Sequence, residues 1–231
     1  MESDVLYAVK PARARRVAPV SRAILGRALD LTLALLLLVI LAPLMAVIAL
    51  AIRLDSPGSP IFRQRRLGRR ERPFTVNKFR TMRAASDSEP HRAYIRELIA
   101  HGAGAARQDG AGKPLFKLAV DDRVTRTGRF LRRWSLDELP QLWNVVRGDM
   151  SLVGPRPVIA YEAELYPDWY RERFAVKPGL TGLWQVSGRN ERTYEEMAHL
   201  DVEYARRQSL RLDLTILLKT IWIVLSRKGV A

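Results

Sequence analysis

Leu31 to Ile52, LTLALLLLVILAPLMAVIALAI, is a run of 22 residues without a single charge. At the helical rise it reaches about 33 Å, and the hydrocarbon core of a bilayer is about 30 Å thick. A surface helix needs a polar stripe, which this run lacks. It is too long for the apolar part of a signal peptide, and no small-residue cleavage site precedes its basic downstream flank. The segment therefore reads as membrane-embedded, with a buried core helix as the competing reading.

The charges on either side complicate a simple crossing. Residues 1–30 carry Lys10, Arg13, Arg15, Arg16, Arg22 and Arg27, and residues 53–83 carry ten Lys or Arg. Basic flanks favour the cytoplasmic side, and a single straight pass can put only one flank there. Pro43 stands near the middle of the run. Proline removes a donor and crowds the preceding turn, so it can kink a helix. A kinked helix that enters one leaflet and returns satisfies both flanks. A tilted spanning helix with a tolerated proline remains the alternative.

Outward from this segment, the chain of 231 residues fits one domain with attachments. Lys and Arg number 39 against 24 Asp and Glu, a formal net charge of +15, so a polyanionic partner is expected: nucleic acid, anionic lipid or phosphorylated substrate. Hydrophobic residues make up 48%, enough for a packed core. Cysteine is absent, which excludes disulfides, thiolate metal sites and cysteine nucleophiles. His91, His101 and His199 are too scattered for a histidine metal site.

Residues 1–22 read as a disordered basic tail touching anionic lipid, 23–55 as the membrane helix, and 56–231 as a catalytic domain. The turn cluster DSPGSP ends the membrane element at Asp55–Pro60. Phe74–Met82 predicts a short strand. Tyr94–Ala100, Thr127–Trp134, Leu136–Val146 and Glu191–Arg207 predict helices, and His101–Gly112 a loop. Leu210–Leu225 predicts a helix packed on the core or lying in the lipid interface. Neither a dinucleotide fingerprint nor a P-loop is present: Arg107 replaces the needed glycine, and Pro114 follows Lys113. The fold class is α+β and mainly helical.

Four stretches could carry chemistry. Arg132 to Asn144, RRWSLDELPQLWN, sets Asp137 and Glu138 beside Arg132 and Arg133 at a predicted helix start. A helix N-terminus favours ionised carboxylates. These suit Mg²⁺, and a carboxylate can also attack phosphorus. Against this, Ser135-x-x-Glu138 matches a capping box, which makes Glu138 a cap but leaves Asp137 unexplained. VGPRP holds Arg156 between Pro155 and Pro157, a rigid guanidinium suited to phosphate. Lys177–Arg189, KPGLTGLWQVSGR, could set backbone N–H groups around Thr181 and Gly182, with Arg189, against a phosphate. Lys78 and Arg80 lie in KFRTM, just after the membrane element.

These stretches, in this order, resemble the bacterial sugar transferase family, the monotopic polyprenyl-phosphate phosphoglycosyl transferases. The resemblance rests on the apolar segment with Pro43, KFRTM at Lys78–Met82, TRTGRFLRRWSLDELPQLWNVVRGDMSLVGPRP at Thr125–Pro157 and KPGLTGLWQVSGR at Lys177–Arg189. It implies transfer of a sugar 1-phosphate from a nucleoside-diphosphate sugar, with uridine as the nucleoside, to polyprenyl phosphate. It casts Asp137 as nucleophile and Glu138 as a Mg²⁺ ligand, with Asp137 beside the metal. Lys78, Arg132, Arg156 and Arg189 become phosphate binders, and the membrane helix is re-entrant on the cytoplasmic face of the inner membrane. Ala42 departs from the Ser that often precedes the family's helix-breaking proline. Without a long multi-pass region, the chain is expected to be a minimal catalytic form. Which sugar is carried is not legible, and homo-oligomerisation stays open. Two rival readings are a membrane-tethered nucleic-acid-binding module and a non-catalytic assembly scaffold. No helix-turn-helix, zinc finger or RNA-binding aromatic motif supports the first, so no nucleic-acid partner is expected.

Overall fold

The computed structural model describes residues 20–83, 107–108, 114–115, 123–188 and 193–226. The basic tail before residue 20, the predicted helix at Tyr94–Ala100 and Arg189 lie outside them. The long apolar run becomes α1, Val20–Asp55, and stays helical through Pro43. Leu and Ala are strong helix formers, and one interior proline removes only one hydrogen bond.

β1 (Ile61–Leu67) and β2 (Pro73–Phe79) follow as an antiparallel hairpin with Phe62 opposite Lys78. Arg107–Gln108 (β3), within the stretch expected to be loop, pairs antiparallel with Pro114–Leu115 (β4) just beyond it. α2, Arg126–Arg133, is capped by Thr125, whose hydroxyl accepts the Gly128 N–H. The single helix expected over Leu136–Val146 is instead a 3₁₀ turn, Leu136–Glu138, followed by α3, Gln141–Arg147. β5 (Ser151–Val153) runs parallel to β6 (Gly179–Thr181), and α4 (Ala160–Ala163) lies between them in sequence. α5, Tyr194–Arg207, starts with a capping box of Thr193 and Glu196. α6, Leu210–Ser226, buries Ile216 and exposes Leu214, Leu218, Ile221, Trp222 and Leu225 along one face. The helix is therefore packed on the core along one side, as one of the two readings expected, and apolar and exposed along the other.

The main core gathers Ala34 of α1, Val76 of β2, Leu142 and Val145 of α3, Leu152 of β5, Tyr204 of α5 and Ile216 of α6. A second cluster joins Ile48 and Ile52 of α1 to Phe79 and Leu131. The rest of the α1 wall is bare: Val39, Ile40, Val47 and Leu50 are each at least 60% exposed. An apolar surface of this length, left uncovered by protein, belongs in lipid.

Both ends of α1 are tied to the same body. At the start, Arg27 donates to the carbonyls of Val145 (2.6 Å) and Val146 (2.7 Å) in the last turn of α3, which ends at left-handed Gly148; the Val145 carbonyl also accepts the Gly148 N–H. Asp30 accepts from Ser151 Oγ at 2.8 Å and from the Leu152 N–H at 2.9 Å. At the far end, Asp55 accepts the Thr127 N–H at 3.0 Å. Replacing Asp30 by Ala strands the Leu152 N–H and the Ser151 hydroxyl. It should cost about 1–3 kcal/mol, read as a lowered thermal midpoint in detergent micelles.

Candidate active site

Cross-strand partners share a face of a hairpin, so Gln64 and Arg66 of β1 lie on the same side as Val76 and Lys78 of β2. That side meets the 3₁₀ turn before α3. Ser135 enters the turn in the left-handed conformation, φ 55°, which a non-glycine residue adopts only under outside constraint. Glu138 does not cap the helix, and Ser135 makes no side-chain cap either. Instead Glu138 Oε1 takes a hydrogen bond from Lys78 Nζ at 2.8 Å, with both side chains less than a quarter exposed. This corrects the capping-box reading: a buried cation offers the carboxylate more than a backbone N–H does.

The cleft next to this pair is lined by Arg66, Lys78, Glu138, Gln141, Arg156 and Pro157. Arg66 is clamped in place: Gln64 Oε1 accepts from its Nε (3.0 Å) and Nη2 (2.7 Å), and the Pro157 carbonyl from Nη1 (3.1 Å). Burial, with Arg156 nearby, lowers the Arg66 guanidinium to about 10, still charged at neutral pH. Arg156 is exposed. Its backbone is pinned from beneath, because Arg173 Nη2 donates to the Arg156 carbonyl at 2.6 Å. Arg173 in turn pairs with Asp201 at 2.8 Å, and both are 3% exposed. Arg132 of α2 donates from Nε to Thr81 Oγ1 at 3.0 Å.

The two adjacent carboxylates are driven apart. Burial pushes Glu138 up, but Lys78, Arg156 and Arg66 outweigh it and hold the group down to about 2. Asp137 goes the other way. Burial and the Glu138 charge raise it, against the pull of Lys78, Arg132 and Arg156. The helix-end argument, which kept both low, fails for Asp137 because desolvation and a like charge dominate. The two neighbouring carboxyls thus differ in their affinity for a proton.

Other expected residues sit elsewhere. Arg80 is buried and spends its guanidinium on the carbonyls of Ser56 (2.6 Å) and Pro57 (2.7 Å), closing the turn after α1. Thr181 shares a 2.8 Å hydroxyl contact with Thr220, which joins β6 to α6. Gly182 serves packing, since a Cβ there would lie 2.4 Å from the Gly154 carbonyl oxygen. Sequence reasoning missed Arg66, Gln141 and the Arg173–Asp201 pair. The first was open to discovery once β1 was paired with β2; the buried pair left no signal in a chain with 27% charged residues.

Residues 21–227 match the model of the bacterial sugar transferase family. The chain belongs to that family. It is 45% identical over 205 residues to a UDP-galactose-lipid carrier transferase of Erwinia amylovora, covering 89% of this chain and 41% of that relative. It is 41% identical over 205 residues to an undecaprenyl-phosphate galactose phosphotransferase of Salmonella typhimurium, with the same coverage of each chain. A UDP-glucose:undecaprenyl-phosphate glucose-1-phosphate transferase of Caulobacter vibrioides is 43% identical over 204 residues, 84% of this chain and 67% of the relative. The chain thus spans about two fifths of the two galactose relatives' length.

The depressed Glu138 carboxyl sets a pH signature for this family member. A group held low when folded adds stability above its ordinary value of 4.5 and loses it as pH falls toward about 2. Wild-type protein should melt above the Glu138→Gln variant at pH 7, with the gap closing between pH 4.5 and 2. Thermal melts across that range check it.

Proposed function

We propose that this protein transfers a sugar 1-phosphate from a uridine-diphosphate sugar to undecaprenyl phosphate, through a covalent intermediate on Asp137. The observation that carries this reading is the Lys78–Glu138 pair, set beside Asp137 at a cleft that also presents Arg66 and Arg156. The relatives' names support the donor, the acceptor and the phosphotransfer.

In the first step an Asp137 carboxylate oxygen attacks the sugar-bearing phosphorus. The bond from that phosphorus to the bridging oxygen breaks, and uridine monophosphate leaves with that oxygen. An oxygen of the lipid phosphate then attacks the same phosphorus, and the Asp137 carboxylate departs, yielding the polyprenyl-diphosphate sugar. No proton has to be gained or lost. The raised affinity of Asp137 for a proton reflects a poorly solvated, more nucleophilic carboxylate. Arg156, with Lys78 and Arg132, meets the charge of the phosphoryl oxygens, and charges aimed where charge develops are the usual largest source of catalysis.

Among the described residues no group of three acidic or histidine side chains could hold a metal by itself. The adjacent Asp137 and Glu138 nonetheless fit Mg²⁺, which takes one or two carboxylates and fills its shell with phosphate oxygens and water. Bound there, Mg²⁺ would neutralise charge on the transferred phosphoryl group.

The membrane helix is proposed to re-enter the cytoplasmic leaflet. Arg27 and Asp30 at one end and Asp55 at the other bind one body, which supports both ends lying on one side of the bilayer. The chain has no cysteine, so single introduced cysteines report cleanly. Ser21→Cys and Ser59→Cys should both react with an impermeant thiol reagent added to inverted vesicles and stay silent in intact cells. Reaction from opposite sides would establish a spanning helix. Asp137→Asn should abolish product formation while the protein still partitions into membranes. Labelled uridine monophosphate should exchange into the donor without lipid acceptor. Normal turnover by Asp137→Asn, or absence of exchange, removes the covalent route.

A further inference from the structure

Gln141, the first residue of α3, is 2% exposed, and its Nε2 is buried with no hydrogen-bond partner. It lines the cleft with Arg66, Lys78, Glu138 and Arg156. A buried amide N–H without an acceptor carries its full desolvation cost, so native proteins rarely keep one without use. None of the acceptors that share the cleft, the Gln185 amide oxygen and the Glu138 carboxylate included, bonds it. Arg66, Lys78 and Arg156 are donors themselves. Lys78 already occupies Glu138 Oε1, and Arg66 occupies the Pro157 carbonyl.

We infer that the Gln141 side-chain amide donates a hydrogen bond to a phosphoryl oxygen of the bound nucleotide-sugar donor. The cleft carries three cationic donors, Arg66, Lys78 and Arg156, and a diphosphate supplies several acceptor oxygens at once. Gln141 adds a neutral, directional N–H to a set of cations. It can hold one phosphoryl oxygen in a fixed place without deepening the positive charge around Asp137. This inference rests on the transferase reading above.

Its test exploits a sign. Gln141→Met keeps the side-chain volume and removes the unsatisfied polar group, so the variant should melt at or above wild type. Its KM for the nucleotide sugar should rise roughly tenfold or more, as expected for a lost hydrogen bond to a charged group. Its KM for undecaprenyl phosphate should stay within about twofold. A structural role, or permanent satisfaction by a bound water, predicts the reverse: a lowered melt with unchanged donor KM. That result overturns the inference, as does a KM change confined to the lipid. Wild-type protein that turns over no nucleotide sugar would instead sink the transferase reading, so the two failures are distinguishable.

Discussion

The ion pair between Lys78 and Glu138 organises the candidate site. Sixty residues separate the partners. Two unit charges at about 4 Å attract by about 4 kcal/mol at the effective dielectric of a protein surface, while stripping water from each costs several. The pair alone would roughly break even. Arg66 and Arg156 shift the balance toward an ionised Glu138. The same charge cluster leaves Asp137 poorly solvated beside a permanent anion. One residue is thus fixed as an anion with a fixed partner, and its neighbour is the one whose affinity for a proton is raised.

The remaining architecture brings these groups together and holds them near a lipid surface. Arg66 and Lys78 arrive on one face of a hairpin, the carboxylates on a 3₁₀ turn, and Arg156 on a loop that Arg173 and Asp201 pin from inside. Gly154 and Gly179 let that loop and β6 approach closely: a Cβ on Gly179 would lie 2.0 Å from the Gly154 nitrogen. α1 contacts α3 and β5 at its start and α2 at its end, so the domain is held along the membrane element rather than hung from one end. In the proposed reaction this arrangement would let a lipid phosphate at headgroup depth reach a site that soluble donors also enter.

Part of this fold, and the grouping of these side chains, was legible in the sequence. A run of 22 uncharged residues admits few readings, and the motif order pointed to Asp137, Glu138, Lys78 and Arg156. What stayed hidden depended on long-range contacts. Ser135 and Glu138 have the spacing of a cap, but a lysine from a distant strand outcompeted the backbone. The β1 strand, FRQRR between its end residues, shows no apolar alternation, so its inward face is defined only by its partner. Arg80, Thr181 and Gly182 looked like phosphate ligands, yet loop closure, a hydroxyl contact and backbone packing use them instead. Local residue type cannot separate those roles.

The covalent step can be observed directly. Trypsin cleavage after Arg133 and Arg147 releases the peptide Trp134–Arg147, in which Asp137 is the only aspartate. Protein mixed with donor but no lipid acceptor, quenched in acid and digested, should yield this peptide heavier by one sugar phosphate, with fragment ions placing the mass on Asp137. An unmodified peptide from enzyme that is fully active once lipid is added, or a modification on another residue, would contradict the account.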